Sequence, residues 1–346
     1  MKDQKGIEAG GGASASLHLF AIFLAFLTVT LLVAGALVTS NEAGDSVPDW
    51  PLSFGRWVIK SDHFVANVRY EYSHRFIAGA VGMATAALAA WTWFTERRAW
   101  VRKLALIAFA GVVIQAVIGG VRVHFPAYKP SIAVAHALIA QSFFGVVVSL
   151  AVFASKSWFE KRDTKRDAGR WGLRTLTALG IGAVLTQLVL GAGFRHGAFG
   201  IIPHVAGAII VTVLTAWTAV AVIRRHAKDA YLTRPAKTLL VLLAAQVGLG
   251  VLAYLARMES AGHAITSVGG FFDSMSFAPL AMPNQIQPLE PMISLTAGHL
   301  VIGALTLATF VVLTLRCYQT LAPRPGRAVE LARDAQLGSS PRKAAI

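Results

Sequence analysis

Eight long apolar stretches are the feature of this sequence that most constrains its fold. They are residues 17–38, 74–95, 104–121, 132–154, 173–193, 204–223, 237–256 and 292–315. Each is close to the roughly 20 residues with which a helix crosses the hydrocarbon core of a bilayer. Of the 346 residues, 55% are hydrophobic and only 14% are charged, which leaves too little polar surface for a soluble domain of this length. We therefore predict an all-α, polytopic membrane protein with eight transmembrane helices.

Lysine and arginine residues are divided unequally between the two sides of the predicted membrane. Of the 32, 24 lie in the two terminal tails and in the connections on the same side, and only seven lie on the other side. Because positively charged segments stay in the cytoplasm, both termini are predicted to be cytoplasmic. The same distribution explains the net charge of +15, and the chain carries no nucleic-acid-binding motif, so no nucleic acid partner is expected.

The two halves of the chain match each other weakly but in the same order. The matched positions are glycine, glutamine and histidine residues in corresponding spans. They pair Gly35 with Gly191, His74 with His204, Gln115 with Gln246, Gly119 with Gly250 and His136 with His299. Since each half has four spans in the same orientation, we predict a parallel duplication that gives two pseudo-symmetric four-helix bundles.

The predicted domain boundaries follow from the spans and from the duplication. They are a cytoplasmic tail of residues 1–16, an N-terminal four-helix bundle of residues 17–154, a cytoplasmic linker of residues 155–174, a C-terminal four-helix bundle of residues 175–316 and a mobile cytoplasmic tail of residues 317–346. The outer loop of residues 257–291 contains an apolar run that suits either the membrane interface or a plain surface loop. The single cysteine, Cys317, excludes an intramolecular disulfide.

Four of the ten histidines lie in alternate spans, near the outer ends: His74, His136, His204 and His299. Two imidazoles that face inward in one four-helix bundle have the arrangement that ligates a haem iron from both sides. We interpret the four as two pairs of haem-iron ligands, with a bare metal ion or simple helix–helix hydrogen bonds as the alternatives. The remaining six are expected to be solvated surface residues: His18, His63, His124, His196, His226 and His263.

Charged neighbours distinguish the two predicted sites. Glu71 and Arg75 flank His74, and Glu71 lies three positions away on the same helix face. In the second half the corresponding positions are the apolar Ile201 and Val205. A haem that is chemically transformed needs an acid or base near its edge, whereas an electron carrier needs only ligands and a dry pocket. The N-terminal bundle is therefore predicted to hold the reaction site; a simple interfacial Glu–Arg ion pair is the alternative.

Three arginines near the outer helix ends are candidate contacts for haem propionates: Arg75, Arg122 and Arg195. A guanidinium group pairs with both oxygen atoms of a carboxylate, which makes arginine suited to this role. For Arg122 and Arg195, extension of the side chain to the membrane interface is the competing interpretation.

Several motifs together resemble the haem A synthases, a family of cytochrome oxidase assembly proteins. They are "VTSNEAGDSVPDWPLSFG" after the first span, "EYSHRFIAG" at the start of the second, "QAVIGGVRV" in the third and "AVAHALIAQ" in the fourth. The resemblance covers residues 17–316 and is strongest in the N-terminal half. Some members of the family carry a cysteine pair in an outer loop, and this chain does not.

The resemblance implies an oxidoreductase that converts haem O to haem A by oxidising a ring methyl group to a formyl group. It implies a haem b cofactor on His204 and His299, substrate haem O near His74 and His136, and a catalytic role for Glu71, by proton transfer or by stabilising a cationic intermediate. It further implies a multi-pass protein of the inner (cytoplasmic) membrane with its active site near the outer face. A haem O synthase and oxidase assembly factors are the expected protein partners.

Two other functions fit parts of the sequence. A di-haem b-type membrane cytochrome that transfers electrons to or from quinone explains the histidines and the duplication, but it gives Glu71 no specific task. A proton-coupled transporter would carry an acidic residue near the middle of the membrane, and none of the eight predicted spans does.

Overall fold

The computed structural model describes residues 15–125, 129–167, 171–260 and 290–322. Within these ranges the chain forms nine α-helices: α1 (Ala15–Ser40), α2 (Val68–Thr95), α3 (Ala99–His124), α4 (Lys129–Ala154), α5 (Lys156–Phe159), α6 (Leu173–Arg195), α7 (Ile202–Arg225), α8 (Ala230–Ser260) and α9 (Glu290–Thr320). All except the short α5 are long and apolar enough to cross a membrane. The predicted all-α fold with eight spans is therefore confirmed.

Most of the eight long helices extend beyond the predicted apolar spans. Helix α2 begins at Val68 instead of residue 74, and α8 begins at Ala230 instead of residue 237 and contains Pro235. Apolar length measures only the crossing of the hydrocarbon core, while a helix continues through the headgroup region with polar residues. The extra turns at the start of α2 bring Glu71 inside the helix.

The long helices pack as two rings of four. Helices α1, α2, α3 and α4 each contact the next, and α4 returns to α1; α6, α7, α8 and α9 repeat this order, and α9 returns to α6. The rings meet through their first and fourth helices, where α1 packs on α9, α4 on α6 and α4 on α9. The predicted pseudo-symmetry stays a prediction, and this common packing order supports it.

Each ring has its own apolar core. Leu24, Leu88 and Val147 are buried in the first ring, and Leu239 and Phe310 in the second. A smaller cluster joins the rings, in which Phe144 of α4 packs with Ala304 and Ala308 of α9. The small alanine side chains let α4 and α9 approach closely, as is usual for helix contacts in membranes.

The connection between the two rings is attached to the end of α9. The backbone N–H of Lys165 donates to the Thr320 carbonyl at 2.8 Å, and the N–H of Ala322 donates to the Lys165 carbonyl at 2.9 Å. Helix α9 thus continues past residue 316, and Cys317 is fully buried within it. The rest of the predicted C-terminal tail, residues 323–346, lies outside the described residues, as do His263 and nearly all of the 257–291 loop.

Candidate functional site

The four histidines of interest lie at one end of the molecule, here called the histidine end. His74, His136, His204 and His299 are in α2, α4, α7 and α9, each in the N-terminal part of its helix. Each is partly or largely enclosed by its ring, and none of the four is an exposed residue. The structure therefore brings together the pairs that the sequence predicted, one pair in each ring.

A glycine of the preceding long helix lies against each of these imidazoles. A Cβ atom placed on Gly35 would be 3.1 Å from Cε1 of His74, and one on Gly119 would be 3.8 Å from Cε1 of His136. In the second ring of helices the space is tighter. A Cβ atom on Gly191 would be 2.8 Å from Cε1 of His204, and one on Gly250 would be 2.9 Å from Cε1 of His299. These glycines provide the space in which the imidazoles lie.

The second pair of histidines is close enough to share one metal atom. The ring centres of His204 and His299 are 6.2 Å apart, and the ring planes are inclined at 78°. A metal–imidazole bond of about 2 Å on each side, plus roughly 1 Å from nitrogen to ring centre, gives a separation of roughly 6 Å. The spacing therefore fits a single iron between the two rings.

Glutamine residues hold the second pair in place. Nδ1 of His299 donates to the Gln246 carbonyl at 3.1 Å, so Nε2 carries the lone pair, which accepts from the Gln246 side-chain amide at 3.3 Å. The Gln187 amide donates to the His204 carbonyl at 2.8 Å and lies 3.0 Å from Nδ1 of that residue. Such partners orient an imidazole before a metal binds.

The imidazoles of the first pair have no side-chain amide partner among the described residues. Gln115 donates to the His136 carbonyl at 2.9 Å, but Nδ1 of His136 and Nδ1 of His74 are buried with no hydrogen-bond partner among the described residues. The position that corresponds to Gln187 in the first half is Leu31, which approaches the His74 ring with its backbone only and offers no side-chain polar group. The two pairs thus differ in how firmly the imidazoles are held.

Glu71 and Arg75 form a buried pair that fixes the segment after α1. One carboxylate oxygen of Glu71 accepts from Arg75 at 2.6 Å, and the other accepts from the Val47 backbone N–H at 2.9 Å. The Arg75 guanidinium also donates to the backbone carbonyls of Val47, Asp49 and Leu52. Glu71 is only 5% exposed. The pair therefore binds residues 43–56, here called the cover loop, to the N-terminal part of α2.

The cover loop reaches the first histidine pair through Trp50. The indole ring of Trp50 lies on Gly120, next to the glycine that contacts His136. Asp49 shapes the loop by accepting from the backbone N–H groups of Phe54 and Gly55, each at 2.7 Å. Burial acts to raise the pKa of Asp49, but these N–H groups outweigh it and lower the pKa below its ordinary value. The carboxylate therefore stays ionised and keeps the turn closed.

The other predicted arginines also contact the backbone at this end. Arg195 donates to the Thr39 carbonyl of α1 at 2.9 Å, which links the two rings. The guanidinium group of Arg122 lies against Gly44 of the cover loop, and its Nε atom is buried without a partner among the described residues. All three predicted arginines are therefore near the histidines, and two of them donate to main-chain carbonyls.

Two histidines expected at the surface have specific environments. His196 is partly buried; burial, and then the positive charges of Arg122, Arg195 and Arg257, lower its pKa to about 4. At the opposite end of the molecule, Nδ1 of His18 donates to the Ala151 carbonyl at 2.8 Å. The surface interpretation was wrong for both, because neighbouring helices cover them in the folded chain. It was also wrong for His226, whose Nε2 atom is buried without a hydrogen-bond partner among the described residues.

Sequence reasoning missed several residues that shape this region. The roles of Gln187 and Gln246 were not predicted, although an amide within an otherwise apolar span is itself a signal. Trp50 and Asp49 belong to the "PDWP" motif, but nothing local in that motif indicates that they contact Gly120 and the turn at Phe54.

Eight apolar spans define the chain as a multi-pass membrane protein. Residues 18–203 match the family model described as "Cytochrome oxidase assembly protein" (COX15-CtaA). This match covers more than half of the chain, and the protein belongs to this family.

The curated relatives that the chain resembles are bacterial heme A synthases. The chain is 31% identical to the enzyme of Halalkalibacterium halodurans over 140 residues, which are 39% of this chain and 43% of the relative. It is 34% identical to that of Geobacillus kaustophilus over 110 residues, 31% of this chain and 34% of the relative. It is 33% identical to the enzyme of an Exiguobacterium species over 105 residues, which are 30% of this chain and 34% of the relative. The matched part is thus less than half the length of these relatives.

Proposed function

We propose that this protein is a haem A synthase that oxidises a ring methyl group of haem O to the formyl group of haem A. The family and the names of the similar proteins support this function. The observation that carries it is the unequal pair of histidine sites, one with firmly held imidazoles and one beneath a cover loop with a buried carboxylate. A simple electron-transfer cytochrome needs no such difference between its two sites.

The second pair is the proposed site of a resident haem b. His204 and His299 have a spacing at which both imidazoles would hold one iron, and the Gln246 carbonyl accepts from Nδ1 of His299, which leaves Nε2 as the ligating nitrogen of that residue. When bound, this haem supplies a one-electron carrier. Firmly oriented ligands favour a group that remains in the protein.

The first pair is the proposed site of the substrate haem O. The Nδ1 atoms of His74 and His136 are buried and make no hydrogen bond to the residues that the structure describes, so an incoming group could satisfy polar atoms of this pair. Rings that are held less firmly suit a ligand that enters and leaves. The cover loop, with Trp50 on Gly120, lies at the histidine end of this site.

Glu71 is the proposed catalytic carboxylate. Converting a methyl group to a formyl group removes two hydrogens from the carbon atom and adds one oxygen atom. With water as the source of that oxygen, the conversion releases four electrons and four protons, two of them from the water, so the reaction needs a proton acceptor and an electron acceptor. Glu71 is the buried carboxylate three positions before His74, and the Arg75 guanidinium pairs with it at 2.6 Å. An external oxidant would take up the electrons, and a haem held by His204 and His299 would supply the one-electron carrier for them.

Arg122 is the proposed contact for the substrate propionates. It lies within electrostatic range of both His74 and His136, and its Nε atom is unpartnered among the described residues. Arg75 and Arg195 remain proposed contacts of the same kind, although each already donates to backbone carbonyls.

The proposed location is the cytoplasmic (inner) membrane, with both termini in the cytoplasm and the histidine end toward the outer face. The distribution of lysine and arginine residues supports this orientation. A haem O synthase and oxidase assembly factors remain the proposed protein partners.

Expression in a host that makes haem O but no haem A tests the function. Haems extracted from the membranes are separated by chromatography and identified by mass. We expect a new haem with the mass of haem A or of its alcohol precursor. Haem B bound to the purified protein, with haem O unchanged, would instead indicate the di-haem b-type cytochrome.

Replacing Gly250 by alanine is expected to weaken haem binding at the second site. The added methyl group would be 2.9 Å from Cε1 of His299 and would displace the imidazole. Overpacking of this kind costs about 1–3 kcal/mol, which corresponds to about a 5- to 150-fold loss of affinity. Haem content per protein, measured by the pyridine haemochrome assay, reports the loss.

Gly248→Ala is the matched control on the same helix. A Cβ atom at Gly248 meets no atom within 4 Å, so the haem content should equal that of the wild type. Equal haem contents in both variants would contradict the assignment of His299 as a ligand that needs the Gly250 space.

A further inference from the structure

An apolar groove lies on the membrane-facing side of α2, next to the first histidine pair. Its volume is about 380 Å³, within the range of about 300–1,000 Å³ typical of ligand pockets. It is lined by Phe64, Tyr72, Ser73, Phe76 and Ile77, and it opens to the side of the molecule. One wall of the groove, Phe64, comes from the segment before α2. This wall distinguishes the groove from an ordinary gap between the lipid-facing side chains of one helix.

The segment between the cover loop and α2 builds that wall. The Phe64 ring stands edge-on to the Tyr72 ring with their centres 6.3 Å apart, and the Tyr72 hydroxyl contacts the Trp57 carbonyl at 3.5 Å. Trp57 and Val58 in the same segment are 76% and 73% exposed. Exposed aromatic and apolar side chains at this level suit the membrane interface, so the groove opens toward lipid.

The groove is adjacent to the proposed substrate ligand. Ser73 directly precedes His74 in α2, and Ile77 lies one turn after His74, where it packs against the core of the first ring. Side chains three positions apart lie on neighbouring parts of a helix surface. Ile77 therefore separates the groove from the interior in which His74 lies, and a chain leaving the site past Ile77 would enter the groove.

We propose that this groove holds the isoprenoid tail of haem O, an inference that rests on the proposed function. Haem O differs from haem B in one substituent, a long hydroxyalkyl isoprenoid chain in place of a vinyl group. Apolar walls fit such a chain, and its exit on the lipid side leaves the porphyrin ring between the histidines. A tail held there prevents rotation of the ring about the axis through the two histidines. The groove thereby selects haem O and directs one methyl group to the reaction.

A bulky residue in the groove should discriminate between the two haems. Because lipid is as apolar as the groove, selectivity comes from steric fit rather than from the hydrophobic effect. In Ser73→Trp the indole fills the groove, and we expect haem O to bind about 5- to 150-fold more weakly, the cost of overpacking. Haem B, which has no tail, should bind as it does to the wild type. Haem O and haem B are titrated separately into the full-length protein with its resident haem, and binding is followed by absorbance.

Met83→Trp is the matched control, since Met83 is 72% exposed on the same helix and lies outside the groove. It should leave both affinities unchanged. Ser73→Leu is a smaller change for the case in which the tryptophan variant does not fold, and it should weaken haem O alone. Unchanged haem O affinity in the Ser73 variants, or equal losses for both haems, would overturn the groove assignment.

The outcomes separate the two proposals. Wild-type protein that makes haem A, together with a Ser73→Trp variant that makes it equally well, would refute the groove and leave the enzyme. Wild-type protein that makes no haem A would refute the enzyme, and the comparison of the two affinities would still decide whether the groove recognises the tail.

Discussion

Glu71→Gln is expected to lower haem A formation by about a hundredfold or more, the usual contribution of a positioned acid or base. Glutamine keeps the size of the side chain and can still accept the Val47 N–H bond, but it cannot take up a proton and leaves Arg75 without its buried counter-charge. The second histidine pair is in the other ring, so its haem should remain bound. Haem extracts from the variant, and its haem b spectrum, measure both effects.

Two further variants distinguish a catalytic role of Glu71 from a role in positioning the cover loop. Arg75→Lys keeps the carboxylate of Glu71 but cannot reproduce the fork of contacts to Val47, Asp49 and Leu52, so it should loosen the cover loop. Glu160→Gln removes a half-exposed carboxylate outside the eight spans and should have no effect. If Arg75→Lys reduces activity as much as Glu71→Gln does, Glu71 acts as a positioning residue. A Glu71→Gln variant with wild-type activity would contradict both roles.

His204→Ala should remove the resident haem and with it the activity. Loss of one of two axial ligands is more severe than loss of a residue that orients a ligand, which itself costs about 10- to 100-fold in affinity. The low-spin bis-histidine spectrum should disappear, while the first histidine pair still binds added haem O.

His226→Ala is the control for this variant, because His226 lies at the other end of the same helix, α7, directly after Arg225. It should keep both the spectrum and the activity. An unchanged low-spin spectrum in His204→Ala would refute the ligand assignment of the second pair.

The helices could be predicted from the sequence, because apolar length and the placement of basic residues depend on bilayer thickness and surface charge alone. The pairing of the histidines could also be predicted from the sequence, since they recur in alternate spans: His74, His136, His204 and His299. Their glycine neighbours were visible in the aligned motifs, but their contact with the imidazoles was not. Helix packing explained those glycines equally well until the distances to the rings were known.

The cover loop could not have been predicted in the same way. Glu71 has the local sequence of an interfacial carboxylate, and only the return of residues 43–56 over α2 makes it buried. The loop is held by main-chain groups, because Glu71 accepts from the Val47 N–H and Arg75 donates to loop carbonyls, and such backbone partners carry no side-chain signature. His196 was misjudged for a related reason, since the arginines around it come from three different helices.

The junction between the two rings has the form of a self-complementary interface. The first helix of each half packs on the fourth helix of the other, as α1 does on α9 and α6 on α4, while the two fourth helices, α4 and α9, meet each other. A two-fold axis produces this reciprocal pattern when one surface binds its own copy. Two copies of one four-helix unit with this surface would pair as a homodimer with two identical sites. In a single chain the two sites are free to differ, as Glu71 and Arg75 of the first half differ from Ile201 and Val205 of the second.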